Sequence, residues 1–448
     1  MKAGPLPGRL SEMRSMARFA VPLATAQAAI ILMSVVDTLF VGRYDAVHLS
    51  GVGVGGALSH GILVFGMGIA FALEPLVAQA LGAGEAGRAF AWWRTGARLT
   101  LIMSIPLTAL VLLGAYFSEI FGVEPAIADQ AFSYALWRTP ANLLFLYWLA
   151  ARAVLQSQQR TRPLLFAALL ANIVNAAADA ILVDGVVTLG AAGAGLATSL
   201  STVILFVVAS RAIALSRPDA LTPADGLGPP PSARRLLNLG LPVSLQLAAE
   251  FGMFSSVGII AASIGAVEGA AHQIALNCAT LTFMFAAGIG GAAGARVSEA
   301  VGRGDSALAR RRAGVAVLLA LGVMATSAVL FAVFAEPLAA LFSADDEPEV
   351  QALSVQLLMI ASLFQLFDGA QVVIAGVLRG VGDVKVPLLI TLGAYWAVGF
   401  LVGMLLAFEG GLGARGLWFG LSAGLCTSSL GLGWRTVVVF RSDIARLT

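Results

Sequence analysis

The chain alternates long apolar runs with short polar ones. A bilayer-spanning helix needs about 20 mostly apolar residues. Twelve such runs can be read, at about 18–40, 51–77, 96–117, 131–153, 163–183, 191–213, 236–264, 270–294, 313–335, 351–377, 387–408 and 416–439. None shows the residue-by-residue alternation of a membrane β-barrel strand. The pattern therefore predicts an all-α integral membrane protein with twelve transmembrane helices.

Composition agrees with this pattern. Hydrophobic residues make up 59% of the 448 and charged residues 12%, against about 25% charged in soluble domains. That balance excludes a soluble enzyme, a disordered chain and a nucleic-acid binder, and a net charge of +2 implies no polyanion partner. The 50 glycines suit helices packed closely in lipid. Cys278 and Cys426 lie in apolar runs, which argues against a disulfide framework, and no metal-ligand spacing is present. The basic, polar N-terminus reads as a cytoplasmic tail, not as a cleaved signal peptide.

The loops give orientation. One set carries acids: Asp45; Glu119, Glu124 and Asp129; Asp184; Glu268; Glu336, Asp345, Asp346, Glu347 and Glu349; Glu409. The other set and both tails carry nearly all the arginines, with only Arg43, Arg138 and Arg415 on the acidic side. The positive-inside rule then places both termini in the cytoplasm of a plasma (inner) membrane.

The two halves align at an offset of 220 for about sixty residues. Pro22 meets Pro242, Gly68-Ile69 meets Gly288-Ile289, and Gly82-Ala83-Gly84-Glu85 meets Gly302-Arg303-Gly304-Asp305. Between the halves runs a proline-rich segment, 216–235, that reads as a cytoplasmic linker. The predicted organisation is an N-lobe over 1–215 (helices 1–6), the linker, and a C-lobe over 236–448 (helices 7–12). Six spans per half make the repeats parallel, an arrangement found in secondary transporters. No nucleotide-binding GxxxxGK[ST] is present.

Five acids fall within the spans: Asp37, Glu74, Asp179, Glu250 and Asp368. Each ionised acid at the bilayer centre costs roughly 2.5–3.5 kcal/mol, so they should face a cavity, a cation or each other. None is duplicated: Asp37 aligns with Val257, Glu250 with Ile30, Asp179 with Gly403 and Asp368 with Leu144. A symmetric scaffold with asymmetric charge predicts different roles for the two lobes.

Helical spacing gives these acids polar neighbours. Asn172, Asn175 and Asp179 share one face of the fifth span. Gln246 lies one turn before Glu250, and Gln365, Asp368 and Gln371 follow at steps of three. Gln273, Asn277 and Thr280 line one face of the eighth span, followed by Phe283, Met284 and Phe285. Such sets supply oxygens for a cation and carboxyls that exchange protons for it, the minimal chemistry of antiport. Structural readings stand beside these. Glu74 precedes Pro75 near a span end, Asn172 could simply bridge helices, Pro22 could be a passive kink, and His272 could be a packing residue.

The segments VDTLFVGRYDAVHLSGVGVGG, EPLVAQALGAG, NIVNAAADAILV, LGAAGAGLATSLS, GAVEGAAHQIALN, GARVSEAVGRGD and DGAQVVIAGVLRGVGDVKVPL resemble the multidrug and toxic compound extrusion (MATE) transporters over essentially the whole chain. The resemblance implies a V-shaped bundle of two six-helix lobes that exports bulky amphipathic, often cationic, compounds against inward H⁺ or Na⁺. It puts an N-lobe cation site on Asp37, Asn175, Asp179 and Thr198, a DinF-like set. It puts the helix-1 bending proline on Pro22 and a NorM-like pair of C-lobe acids on Glu250 and Asp368. Phe364 stands where some sodium-coupled members have tyrosine, which weighs against a C-lobe Na⁺ site.

The expectation is a multi-pass multidrug efflux antiporter, not an enzyme, working by alternating access as a monomer. No cofactor is expected beyond the coupling ion, H⁺ or Na⁺, and no metal beyond Na⁺ at the cation site. Asn172, Gln273, Asn277, Met284 and Gln371 are the candidate substrate-binding residues. The partners are small-molecule drugs or organic cations and the lipid bilayer, with no nucleic acid. The alternative on the same scaffold is a lipid-linked oligosaccharide flippase. That protein should expose cationic cavity residues to pyrophosphate, whereas these spans hold acids. An intramembrane enzyme or channel is a further alternative, but the chain shows no catalytic dyad or metal set.

Overall fold

The computed structural model describes residues 8–216, 231–342 and 347–447. Residues 217–230 of the predicted linker and the loop acids Asp345 and Asp346 lie outside the described residues. The described residues form helices and no strand. In chain order these are α1 Arg9–Tyr44, α2 Ala46–Gly82, α3 Ala86–Tyr116, α4 Pro125–Trp137, α5 Thr139–Ser157, α6 Arg162–Leu182 and α7 Ala191–Ala214. They continue with α8 Ala233–Ile264, α9 Ala266–Gly302, α10 Ser306–Val333, the short α11 Ala335–Phe342, α12 Pro348–Gly380, α13 Lys385–Glu409 and α14 Ala414–Val439.

Every predicted span falls on a helix or helix pair. Among the described residues, ten helices are long and apolar enough to cross a membrane. The other two spans lie on the α4–α5 pair and on α14. Pro140 explains the division of the fourth span, because it has no N–H to donate and its ring crowds the carbonyl one turn back. Ser199 of α7 repairs the break: its hydroxyl donates to the Trp137 carbonyl at 2.7 Å and accepts from the Ala141 N–H at 3.3 Å.

The repeat seen in sequence persists in structure. A single residue, Asp45, separates α1 from α2, and a single residue, Gly265, separates α8 from α9. The turns after α2 and α9 place Gly84 at φ +80° and Gly304 at φ +74°, a conformation that costs glycine nothing. Residues 21–30 and 241–250 even share one order of buried, half-buried and exposed positions.

The chain forms two compact units, and these cut across the sequence halves. One unit comprises the described residues 8–24 with those among 245–447, and the other comprises the described residues among 25–244. Each boundary falls inside a continuous helix, α1 or α8, two residues after Pro22 or Pro242. The reason is packing at equivalent glycines. A Cβ at Gly68 of α2 would overlap the backbone of Ser244 on α8, and one at Gly288 of α9 would overlap that of Ala24 on α1. Small residues likewise let α9 and α12 approach, with Gly290 and Gly294 facing Gly376 and Gly380.

An ionic cluster also ties the start of α1 to α9 and α10 within the 245–447 unit. Arg296 contacts Glu12 at 2.9 Å, Arg312 contacts Glu12 at 3.3 Å and Glu299 at 3.0 Å, and Arg296 donates to Ser15 Oγ at 3.0 Å. Glu12, Arg296 and Arg312 are each buried, with 4–6% of their surface exposed.

Two outcomes follow from this packing. Gly288→Leu should lower the thermal stability of the purified protein in detergent, whereas Gly56→Leu, where a Cβ meets nothing within 4 Å, should leave it near wild type. Glu12→Ala leaves the buried Arg296 without its carboxylate and Arg312 with Glu299 alone, and should cost about 3 kcal/mol, measured as a fall in unfolding midpoint. Removing Asp443, an exposed partner 3.9 Å from Arg310, should cost less than about 1 kcal/mol.

Candidate functional site

Two polar constellations lie within the apolar helices, one in each unit. The first is built on Asp37 of α1, which is 2% exposed. Asn175 Nδ2 of α6 donates to Asp37 Oδ1 at 2.8 Å, and Thr198 Oγ1 of α7 donates to Asp37 Oδ2 at 2.8 Å. Thr198 reaches it because α7 begins just after the turn at Gly190, where His48 Nδ1 accepts from the Ala191 N–H at 3.0 Å. Asp179 lies one helical turn beyond Asn175, fully buried and near enough for the two carboxyls to interact. Both Asp179 oxygens are buried with no donor. The four residues read from sequence as one set are thus brought together from three helices.

Two residues of this neighbourhood escaped the sequence reading. Tyr134 of α4 is buried and lies in the field of both acids, and Arg138, at the α4–α5 break, donates to its hydroxyl. Arg138, counted from sequence on the acidic side, lies between two helices of one span. Its signal was available: an arginine inside an apolar run is as costly as an acid there, and it stands one turn from a tyrosine.

The second constellation belongs to the 245–447 unit. Glu250 of α8 is half-buried and hydrogen-bonded by Gln371 of α12, and Asp368 of α12 is buried within electrostatic range of Glu250. Tyr395 of α13 is fully enclosed near both acids, and its hydroxyl has no partner. It was missed because only the folded packing of α13 brings it here. Gln365 donates to Thr282 Oγ1 at 2.7 Å, and Gln246 donates to Thr391 Oγ1 at 3.2 Å.

The remaining candidates are spread along other faces. Gln273 and Asn277 are exposed on α9 and hydrogen-bond each other at 2.9 Å, and Met284 is half-buried two turns on. Asn172 bridges helices: its amide donates to the Ala29 carbonyl of α1 at 2.7 Å and to the Ala168 carbonyl at 2.9 Å. His272 accepts from the Trp418 indole at 3.2 Å, and Phe364 stacks on the same Trp418. Pro22 is half-buried inside α1, ahead of the point where that helix changes unit. Among the described residues, no group of three or more His, Cys, Asp or Glu could hold a metal ion.

Duplicated helical units with acids sunk among apolar helices define a membrane transporter rather than an enzyme. The chain belongs to the MatE family, whose model matches it twice, at residues 22–181 and 242–405. The two matches start 220 residues apart, at the two equivalent prolines. The chain is 33% identical over 438 residues to the probable multidrug resistance protein NorM of Rhizobium meliloti, covering 93% of this chain and 91% of that protein. It is 34% identical over 428 residues to the protein of the same name from Bradyrhizobium diazoefficiens, covering 91% and 89%. The crystal structure of the eukaryotic MATE transporter AtDTX14 shares its fold, with a TM-score of 0.86 at 22% identity over 96% of this chain and 97% of that one.

Asn172 offers a direct test of this geometry. Asn172→Leu removes the α6-to-α1 bond and should destabilise the purified protein by about 1 kcal/mol, read as a lower unfolding midpoint in detergent.

Proposed function

We propose that the chain is a cation-coupled multidrug efflux antiporter of a plasma membrane, exporting bulky amphipathic, often cationic, compounds by alternating access. Both termini face the cytoplasm, in keeping with the arginine-rich loops. The observation that carries this reading is the interacting carboxyl pair, Asp37 and Asp179, deep within apolar helices. Two carboxylates side by side repel each other, so the pair is stable when a proton or a cation lies with them. The multidrug-resistance names of the curated relatives support it.

In this scheme Asp37 and Asp179 take the coupling ion, H⁺ or Na⁺, while Asn175 and Thr198 fix the orientation of the Asp37 oxygens. Loading the site changes the bend of α1 at Pro22. Glu250 and Asp368, with Gln371 beside them, offer negative charge to the substrate or to a second ion. Asn172, Gln273, Asn277 and Met284 contribute to the substrate surface. One monovalent cation leaving against one entering H⁺ moves no net charge; two coupling ions add about 2.3 kcal/mol per 100 mV. The chain acts as a monomer without a cofactor.

Purified protein in proteoliposomes, loaded with a fluorescent organic cation, tests this scheme. A pH gradient or a Na⁺ gradient, applied separately, should drive export, and Asp37→Asn should reduce it to the protein-free rate with normal elution in gel filtration. Export driven by neither gradient would overturn antiport of this substrate class. An Asp37→Asn protein with full activity would remove the Asp37 site from the coupling step.

A further inference from the structure

We infer that Arg138 is a carboxylate-binding subsite, so that the protein selects amphipathic substrates carrying an acidic group as well as a positive charge. The inference rests on the efflux reading above and deepens it.

A guanidinium inside a membrane span is expensive and calls for a partner. Arg138 has an incomplete set. One NH group donates to the Tyr134 hydroxyl, and the cation lies 5.5 Å from the centre of the same ring. Its Nε is buried with no acceptor. The fork has five N–H donors arranged to meet a carboxylate in two parallel bonds, yet no carboxylate of the described residues lies within ion-pair distance. Asp37 is within electrostatic range, but Asn175 and Thr198 already engage its two oxygens, and Tyr134 lies in the field of both Arg138 and Asp37. Arg138 therefore keeps an unsatisfied, partly exposed fork beside the acid pair.

The surroundings add to the case. His60 of α2 also lies within the field of Arg138. The backbone at the break is held rigidly: Ser199 satisfies the freed groups on either side of Arg138, and Gly195 of α7 leaves no room for a side chain against the Tyr134 carbonyl. The guanidinium is thus presented from a fixed support, which favours selective recognition. The equivalent stretch of the second half carries no arginine, so this subsite is particular to the 25–244 unit.

The test compares a zwitterionic rhodamine bearing a free carboxylate with its methyl ester, two probes of nearly the same size that differ in the acidic group. Export of each from proteoliposomes is measured for wild type, Arg138→Gln and Arg138→Lys, and binding of each to purified protein is followed by tryptophan quenching. In Arg138→Gln the acid-to-ester ratio, in both export and binding, should fall about tenfold or more, equivalent to about 1.4 kcal/mol. Arg138→Lys, which keeps the charge without the fork, should recover part of it. A parallel fall for both probes would overturn the inference, since Arg138 would then act only through Asp37. Wild type that binds and exports the ester but not the acid overturns it as well. Wild type that exports neither probe removes the efflux reading, and the subsite with it.

Discussion

No water reaches the hydrocarbon core of a bilayer, so every backbone polar group there must find its partner inside the protein. That constraint shapes the whole molecule. It makes the described structure helical throughout, because helices satisfy their own backbone. It explains why a serine on a neighbouring helix fills the break at Pro140. It also explains why the acids are not scattered: Asp37 is clasped by an amide and a hydroxyl, and Glu250 by an amide. What those clasps leave over is a pair of acid sites in each unit, the first of them within the field of Arg138.

The scaffold solves its packing problem twice and its chemistry only once per unit. Helix limits, turn glycines and burial order recur at an offset of 220, and the family model matches at the same offset. The charged groups do not recur. The unit of 25–244 holds an acid pair beside an arginine, whereas the unit of 245–447 holds two acids beside an enclosed tyrosine. The shared backbone is therefore a support on which two different charge arrangements are mounted.

How much of this was legible in the sequence depends on the range of the interaction. The spans were legible because hydropathy is a local property, and each predicted run lies on a helix or a helix pair. Asn175 and Asp179 were legible as a pair because they share one helix face, whereas Thr198 joined them only through family resemblance. Tyr134 and Tyr395 carried no local signal, since apolar runs tolerate tyrosine anywhere and only packing between distant helices brings them to the acids. Arg138 was passed over as a site residue because charge was counted by loop side, and Pro140, which breaks the span beside it, has no weight in that count. The exchange of helix ends between units was invisible for the same reason: an apolar face does not say which neighbour will cover it.

That exchange bears on how the polypeptide assembles during synthesis. Residues 9–24 belong with partners made long after them, so their docking surface on α9 and α10 does not exist until well into the second half. The unit of 25–244 can close as soon as the start of α8 emerges. Glu12 must then wait without its ionic partners until Arg296 and Arg312 are made. The duplicated halves are consequently interlaced, and neither half alone contains all the pieces of a finished unit.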